Sequence, residues 1–153
     1  MVKNVIESLD ELKQWVGKEV ATSDWLKIEQ DRIDRFAEAT GDRQWIHVDT
    51  ARAAAESPFG STIAHGYLTL SLLPHMMMET LVIRLGRMSI NYGANRVRFA
   101  APVRVGDRIR AHFTLAALEE IAGGLQITWH ALVEIEGQRK PACVAELIGR
   151  RYE

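Results

Sequence analysis

Residues 62–85 carry apolar side chains on nearly every helical face, among them Ile63, Tyr67, Leu70, Leu73, Met76, Met77, Leu81 and Val82. A helix apolar all round has to be enclosed, either by lipid or by protein. The most apolar part, residues 67–78, is interrupted by Pro74 and His75. It falls well short of the roughly 20 residues that span a bilayer. Protein must therefore supply the enclosure, and the second half of the chain is built for that. Beyond residue 86 the period changes to two: Ile109, Ala111, Phe113 and Leu115 alternate with Arg108, Arg110, His112 and Thr114. Leu125, Ile127, Trp129, Ala131, Val133 and Ile135 repeat the pattern, and Gly123-Gly124 and Gly137-Gln138 supply the turns of long antiparallel strands. Residues 142–148 are apolar in both registers, which predicts a strand that is central or covered on both sides. One enclosed helix followed by a meander of strands predicts an α+β domain whose antiparallel sheet wraps a long central helix. The 153 residues form a single domain, residues 1–153, with no linker or repeat.

The first half reads as short elements around this core. Residues 8–14 form a helix closed by Gly17, and residues 20–28 a strand. Ile33, Phe36 and Ala37 recur at helical spacing, and Gly41 after Thr40 ends a helix over 31–40. Residues 41–50 read as loop, and Asp49-Thr50 opens an alanine-rich helix over 51–56. The Met76-Met77-Met78 run is expected to fill core space.

Composition narrows the function classes. A lone cysteine, Cys143, excludes an internal disulfide and a thiolate-rich zinc site, and suits a reducing compartment. The charged N-terminal stretch lacks the apolar core of a secretory leader, so a cytoplasmic protein without a membrane partner is expected. Net charge is −1, yet residues 84–110 hold seven arginines against the single carboxylate of Asp107. Without an aromatic-interleaved basic motif this does not point to nucleic acid. It predicts either a solvated sheet face or a docking surface for an anionic small molecule.

Candidate catalytic groups gather at the start of the apolar helix. Asp42 and His47 share the loop after the first long helix, where a carboxylate and an imidazole can grip a water between them. Five residues apart, they do not share a helical face, so the loop must bring them together, with Gly41 giving the chain that freedom. His65-Gly66 opens the apolar helix, and a glycine there leaves backbone N–H groups open to a carbonyl oxygen. Ser71 is expected to be buried on that helix, its hydroxyl bonded back to a backbone carbonyl. His47, Asp49 and His65 are metal-compatible types without a metal-binding spacing, so no metal and no other cofactor is expected.

Four segments together carry a resemblance: Phe36-Ala37-Glu38-Ala39-Thr40-Gly41-Asp42, Ile46-His47-Val48-Asp49, Phe59-Gly60-Ser61-Thr62-Ile63-Ala64-His65-Gly66-Tyr67-Leu68, and Arg96-Val97-Arg98-Phe99-Ala100-Ala101-Pro102-Val103-Arg104-Val105-Gly106-Asp107. In order and spacing, over roughly residues 20–150, the chain resembles the MaoC-like dehydratases, the (R)-specific enoyl-CoA hydratase family. Gln44-Trp45, where many such hydratases have Asn-Pro, and Ile90-Asn91-Tyr92-Gly93 look like the nodulation-protein-N-like subgroup. The resemblance implies a hotdog fold, a homodimer and an acyl-CoA thioester substrate. It assigns Asp42 and His47 to the water-activating dyad, the Gly66 N–H to the thioester oxygen, and Ser71 to the acyl pocket. His65, beside Gly66, is counted with the substrate-binding segment. A hotdog thioesterase would want a carboxylate on the enclosed helix, which offers none before Glu79. A non-catalytic acyl-binding module is the alternative outside enzymology.

Overall fold

The computed structural model describes residues 3–153; Met1 and Val2, the start of the stretch read against a leader, lie outside the described residues. The chain runs β1 (Asn4–Ile6), α1 (Leu9–Lys13), β2 (Glu19–Thr22), β3 (Leu26–Lys27), α2 (Gln30–Thr40), α3 (Trp45–Val48), α4 (Thr50–Glu56), α5 (Gly66–Ser71) and α6 (Leu73–Met78). It continues with β4 (Leu81–Ile83), β5 (Met88–Arg98), β6 (Arg108–Ile121), β7 (Gly124–Ile135) and β8 (Cys143–Tyr152). The main sheet has the order β2-β6-β7-β8-β5, with β3 also paired to β6 and its paired strands antiparallel. The alternation in β6 and β7 does what period two demands: Ile109, Phe113, Leu115, Val133 and Ile135 are buried, and Leu68, Leu73 and Met76 of α5 and α6 belong to the same core. The turns at Gly123 and Gly137 have φ of 75° and 77°, the left-handed region glycine favours. Among the described residues no helix is long and apolar enough to cross a membrane.

The long apolar helix is the main revision. Residues 62–65 are extended instead, because Ala64 N–H donates to Val103 O (2.8 Å) and Val105 N–H to Thr62 O (3.0 Å). The helical run then spans 66–78 in two pieces joined at Leu72, next to Pro74, which lacks the N–H a continuous ladder would use. It stops at Thr80, whose buried hydroxyl donates to Met76 O and Met77 O at 3.0 and 3.1 Å. Beyond that, the β-branched residues of Leu81–Ile83 form β4, parallel to β1. One flank of the run stays open: Tyr67 is 68% and Met78 67% exposed, so only Met76 of the methionine run is fully in the core.

Two smaller expectations change. The strand over 20–28 is interrupted because the Ser23 hydroxyl accepts the Ala111 N–H (2.9 Å) in place of a ladder carbonyl. Residues 45–48 of the expected loop close into the single turn α3, with Asp49 N–H donating to Trp45 O. The strand over 142–148 is central, as its pattern predicts, lying between β7 and β5, and past Ala145 it is half-buried. By contrast, β5 is a terminal strand of 11 residues, all exposed except the half-buried Val97.

Candidate functional site

Gly41 ends α2 in the left-handed conformation, φ 79°, with its N–H on Ala37 O. That turn delivers Asp42 to an exposed position directly after the helix. His47 sits on α3, and Ile63 N–H donates to Ile46 O (3.1 Å), which ties this turn to the strand-like segment preceding α5. His47 and His65 lie just beyond that tie, and their rings stack at 3.8 Å with 23° between planes. A carboxylate oxygen of Asp42 and one ring nitrogen of each histidine lie within 4.8 Å of one another. The fold thus brings together three of the residues singled out in the sequence, Asp42, His47 and His65.

The protonation of His47 follows from its partners. Its Nδ1 lies 2.7 Å from the Ile63 carbonyl, which only accepts, so Nδ1 carries the proton and Nε2 is left with a lone pair. Burial, above all, holds its pKa below the ordinary imidazole value; the neighbouring His65 adds to this, while the Ile63 bond and Asp42 oppose it. At neutral pH His47 is an uncharged base with a free acceptor nitrogen.

Gln30, at the start of α2, holds the turn from behind. Its Nε2 donates to His47 O (2.7 Å), and its Oε1 accepts from the buried Thr62 hydroxyl. Neither Gln30 nor Thr62 stands out in the sequence as a site residue: Gln30 carries no distinguishing pattern, and Thr62 is visible only as part of a segment carrying the resemblance and as the start of the expected apolar helix. Phe36 is visible as an apolar position and as the first residue of a segment carrying the resemblance, not as a site residue; its ring lies 4.9 Å from that of His65.

Gly66 opens α5, so its N–H has no acceptor within the helix. A Cβ there would stand 2.6 Å from Phe99 Cδ2, so only glycine fits beneath that ring. Tyr67 meets Phe99 edge-on at 5.8 Å, and both are exposed. Ser71 is exposed, not buried as the apolar pattern predicts, because it lies on the open flank one turn after Tyr67. The imidazole of His65 is only 2% exposed, so its side chain faces the interior while its backbone begins α5.

The Asp42, His47 and His65 cluster has the residue types of a metal site, but its geometry fits one poorly. A metal needs in-plane lone pairs that converge, and rings stacked 23° from parallel send theirs alongside one another. Asp49, the other residue of metal-compatible type, is occupied as the N-cap of α4. Cys143 is buried, its thiol pushed up to about 11, which removes it as a nucleophile. A groove of about 550 Å³ lined by Glu19, Arg96, His112, His130, Leu132 and Glu146 shares no residue with the cluster.

Of the seven arginines, Arg108 and Arg110 pair with Glu136 and Glu134 on the β6–β7 sheet face, and Arg84, just past β4, pairs with Glu7. Arg98 adjoins Phe99, Arg104 bridges to Ile63, and neither has an ion pair among the described residues.

Residues 11–129 match the family described as MaoC like domain. The 3-hydroxyacyl-thioester dehydratase Z of Mycobacterium tuberculosis is 50% identical over 145 residues, covering 94% of this chain and 95% of that protein. Nodulation protein N of Rhizobium leguminosarum bv. viciae is 46% identical over 143 residues, covering 92% and 89%. Among solved structures, the (R)-hydratase from A. caviae involved in PHA biosynthesis superposes with a TM-score of 0.71 at 25% identity, covering 90% of this chain and 96% of that one. The sheet packed on a central helical run is the hotdog arrangement these proteins share.

Proposed function

Because this chain belongs to the MaoC-like dehydratase family, in its nodulation-protein-N-like subgroup, and is a hydro-lyase by that kinship, we propose that it adds water to a trans-2-enoyl-CoA to give the (R)-3-hydroxyacyl-CoA, and catalyses the reverse dehydration. The observation that supports this most is the neutral, Nδ1-protonated His47 beside the exposed Asp42 carboxylate. In this mechanism Asp42 orients a water and His47 Nε2 takes its proton as the oxygen attacks C3. The electron pair of the C2–C3 double bond moves toward the thioester carbonyl, and the resulting enolate oxygen is held by the Gly66 N–H. The proton then passes from the dyad to C2, which completes the addition with no redox change and no cofactor.

The acyl chain runs along the open flank by Tyr67 and Ser71. The coenzyme A phosphates fall to Arg98 and Arg104, the unpaired arginines nearest Phe99 and Ile63. A second copy of the chain, paired along β5, covers the flank.

Incubation with crotonyl-CoA, following enoyl absorbance and free thiol together, tests this reading. Loss of absorbance without thiol release is expected. Thiol release would mean a thioesterase, and neither change a non-catalytic binder. Coupling the product to an (S)-specific 3-hydroxyacyl-CoA dehydrogenase should yield no reduced nicotinamide; a strong signal would reverse the assigned stereochemistry.

A further inference from the structure

The His65 imidazole is nearly sealed from solvent, yet its Nδ1 has no hydrogen-bond partner. Burying a polar atom unpaired is unfavourable, and an apolar ring would pack between Phe36 and His47 without that cost. What imidazole adds is its other nitrogen. Nε2 lies 2.9 Å from the Asp42 carbonyl, which only accepts, so Nε2 carries the proton and donates.

This is the shortest hydrogen bond Asp42 makes among the described residues. Its N–H reaches Thr40 Oγ1 at 3.4 Å, and its Oδ1 is 3.5 Å from Gln44 N. An exposed carboxylate after a glycine turn is otherwise loosely held. His65 also immediately precedes Gly66 in the chain. Other bonds join these segments at Ile63, to Ile46 and His47, but the His65 side chain alone, bridging 23 positions of sequence, ties the Asp42 carbonyl itself to the residue before Gly66. Its ring meanwhile braces the face of His47.

We propose that His65 is a positioning residue: its Nε2–H to the Asp42 carbonyl sets the separation between the water-orienting carboxylate and the amide that holds the thioester oxygen. The inference rests on the Asp42–His47 reading and extends it to a residue that touches no reacting atom. The bond acts on geometry rather than affinity, so its loss should appear in kcat. A misplacement of about 1 Å in a catalytic constellation costs on the order of 10²-fold.

The test is steady-state hydration of crotonyl-CoA by the full chain carrying His65→Phe or His65→Gln, with Asp42→Asn and His47→Ala alongside and thermal unfolding of each. His65→Phe keeps a ring in the stack but loses the donor; kcat should fall on the order of 10²-fold, with KM within about threefold. His65→Gln can present a carboxamide N–H to the same carbonyl and should recover at least about tenfold of that loss. Wild-type kcat in His65→Phe, or equal losses in both variants, overturns the proposal. If His65→Phe does not fold, His65→Ala against His65→Gln makes the same comparison. Inactive dyad variants beside a fully active His65→Phe would sink this inference alone. Active dyad variants would sink the dyad reading, and this inference with it.

Discussion

At the scale of single residues, the proposed chemistry turns on the neutrality of His47. A base must be unprotonated, and burial keeps His47 so by lowering its pKa from the ordinary value near 6.5. The sign follows directly: kcat/KM should reach its plateau on the alkaline side and decline as pH falls, with a midpoint below 6.5. An acid limb of the pH profile centred at or above 6.5 would contradict this. Asp42→Asn and His47→Ala should each lower kcat by about 10²–10⁴-fold, the range for general acid–base groups. Asp42 is exposed and should cost little stability, whereas His47→Ala also gives up the bond to Ile63 O and should melt earlier. Near-wild-type turnover in either variant would remove the dyad assignment. Both residues were legible in the sequence through Gly41-Asp42 and the histidine five positions on. The proton on Nδ1 was not, because it depends on the Ile63 carbonyl, which only the folded chain brings to within 2.7 Å.

At the scale of elements, α5 and the segment after β5 are mutually dependent. The Phe99 ring lies where a Cβ on Gly66 would stand, with Cδ2, Cε2 and Cγ all within 2.8 Å of that point. Gly66→Ala should therefore displace the half-exposed aromatic ring and destabilise the fold by up to about 1 kcal/mol, the low end of what overpacking costs. Removing the ring relieves the clash, so Phe99→Ala combined with Gly66→Ala should cost less than the sum of the two single changes. Denaturant unfolding of the four proteins of this cycle measures the coupling, and strict additivity would mean that the two do not compete for space. The glycine was visible in the sequence as the start of a helix. Its steric reason was not, since Phe99 lies 33 positions away and approaches only through the pairing of residues 62–64 with 103–105. The same pairing pulls residues 62–65 out of the helix that their hydropathy suggests.

At the scale of the whole molecule, the proposed second copy has two exposed features to cover. The terminal strand β5 carries Met88, Ile90 and Tyr92 at 53%, 42% and 56% exposure, and the open helical flank carries Tyr67 and Met78. A long, exposed, apolar edge is ordinarily paired or blocked. Pairing of β5 with its counterpart in a second copy gives a two-fold dimer. Sedimentation equilibrium at micromolar concentration should find twice the chain mass, and Ile90→Glu should shift it toward the monomer. A wild-type monomer would withdraw the dimer. From the sequence alone came the alternating strands, the glycine turns, the helix end at Gly41 and the residue types of the site, because each is written in local periodicity or local backbone freedom. Tertiary structure alone decided where the apolar run is helical, which arginines are paired, and that His65 lies against His47. Those outcomes depend on partners 20 or more positions distant for the helix start and the arginine pairs. For the histidines they depend on the Ile46–Ile63 tie that closes the loop between them.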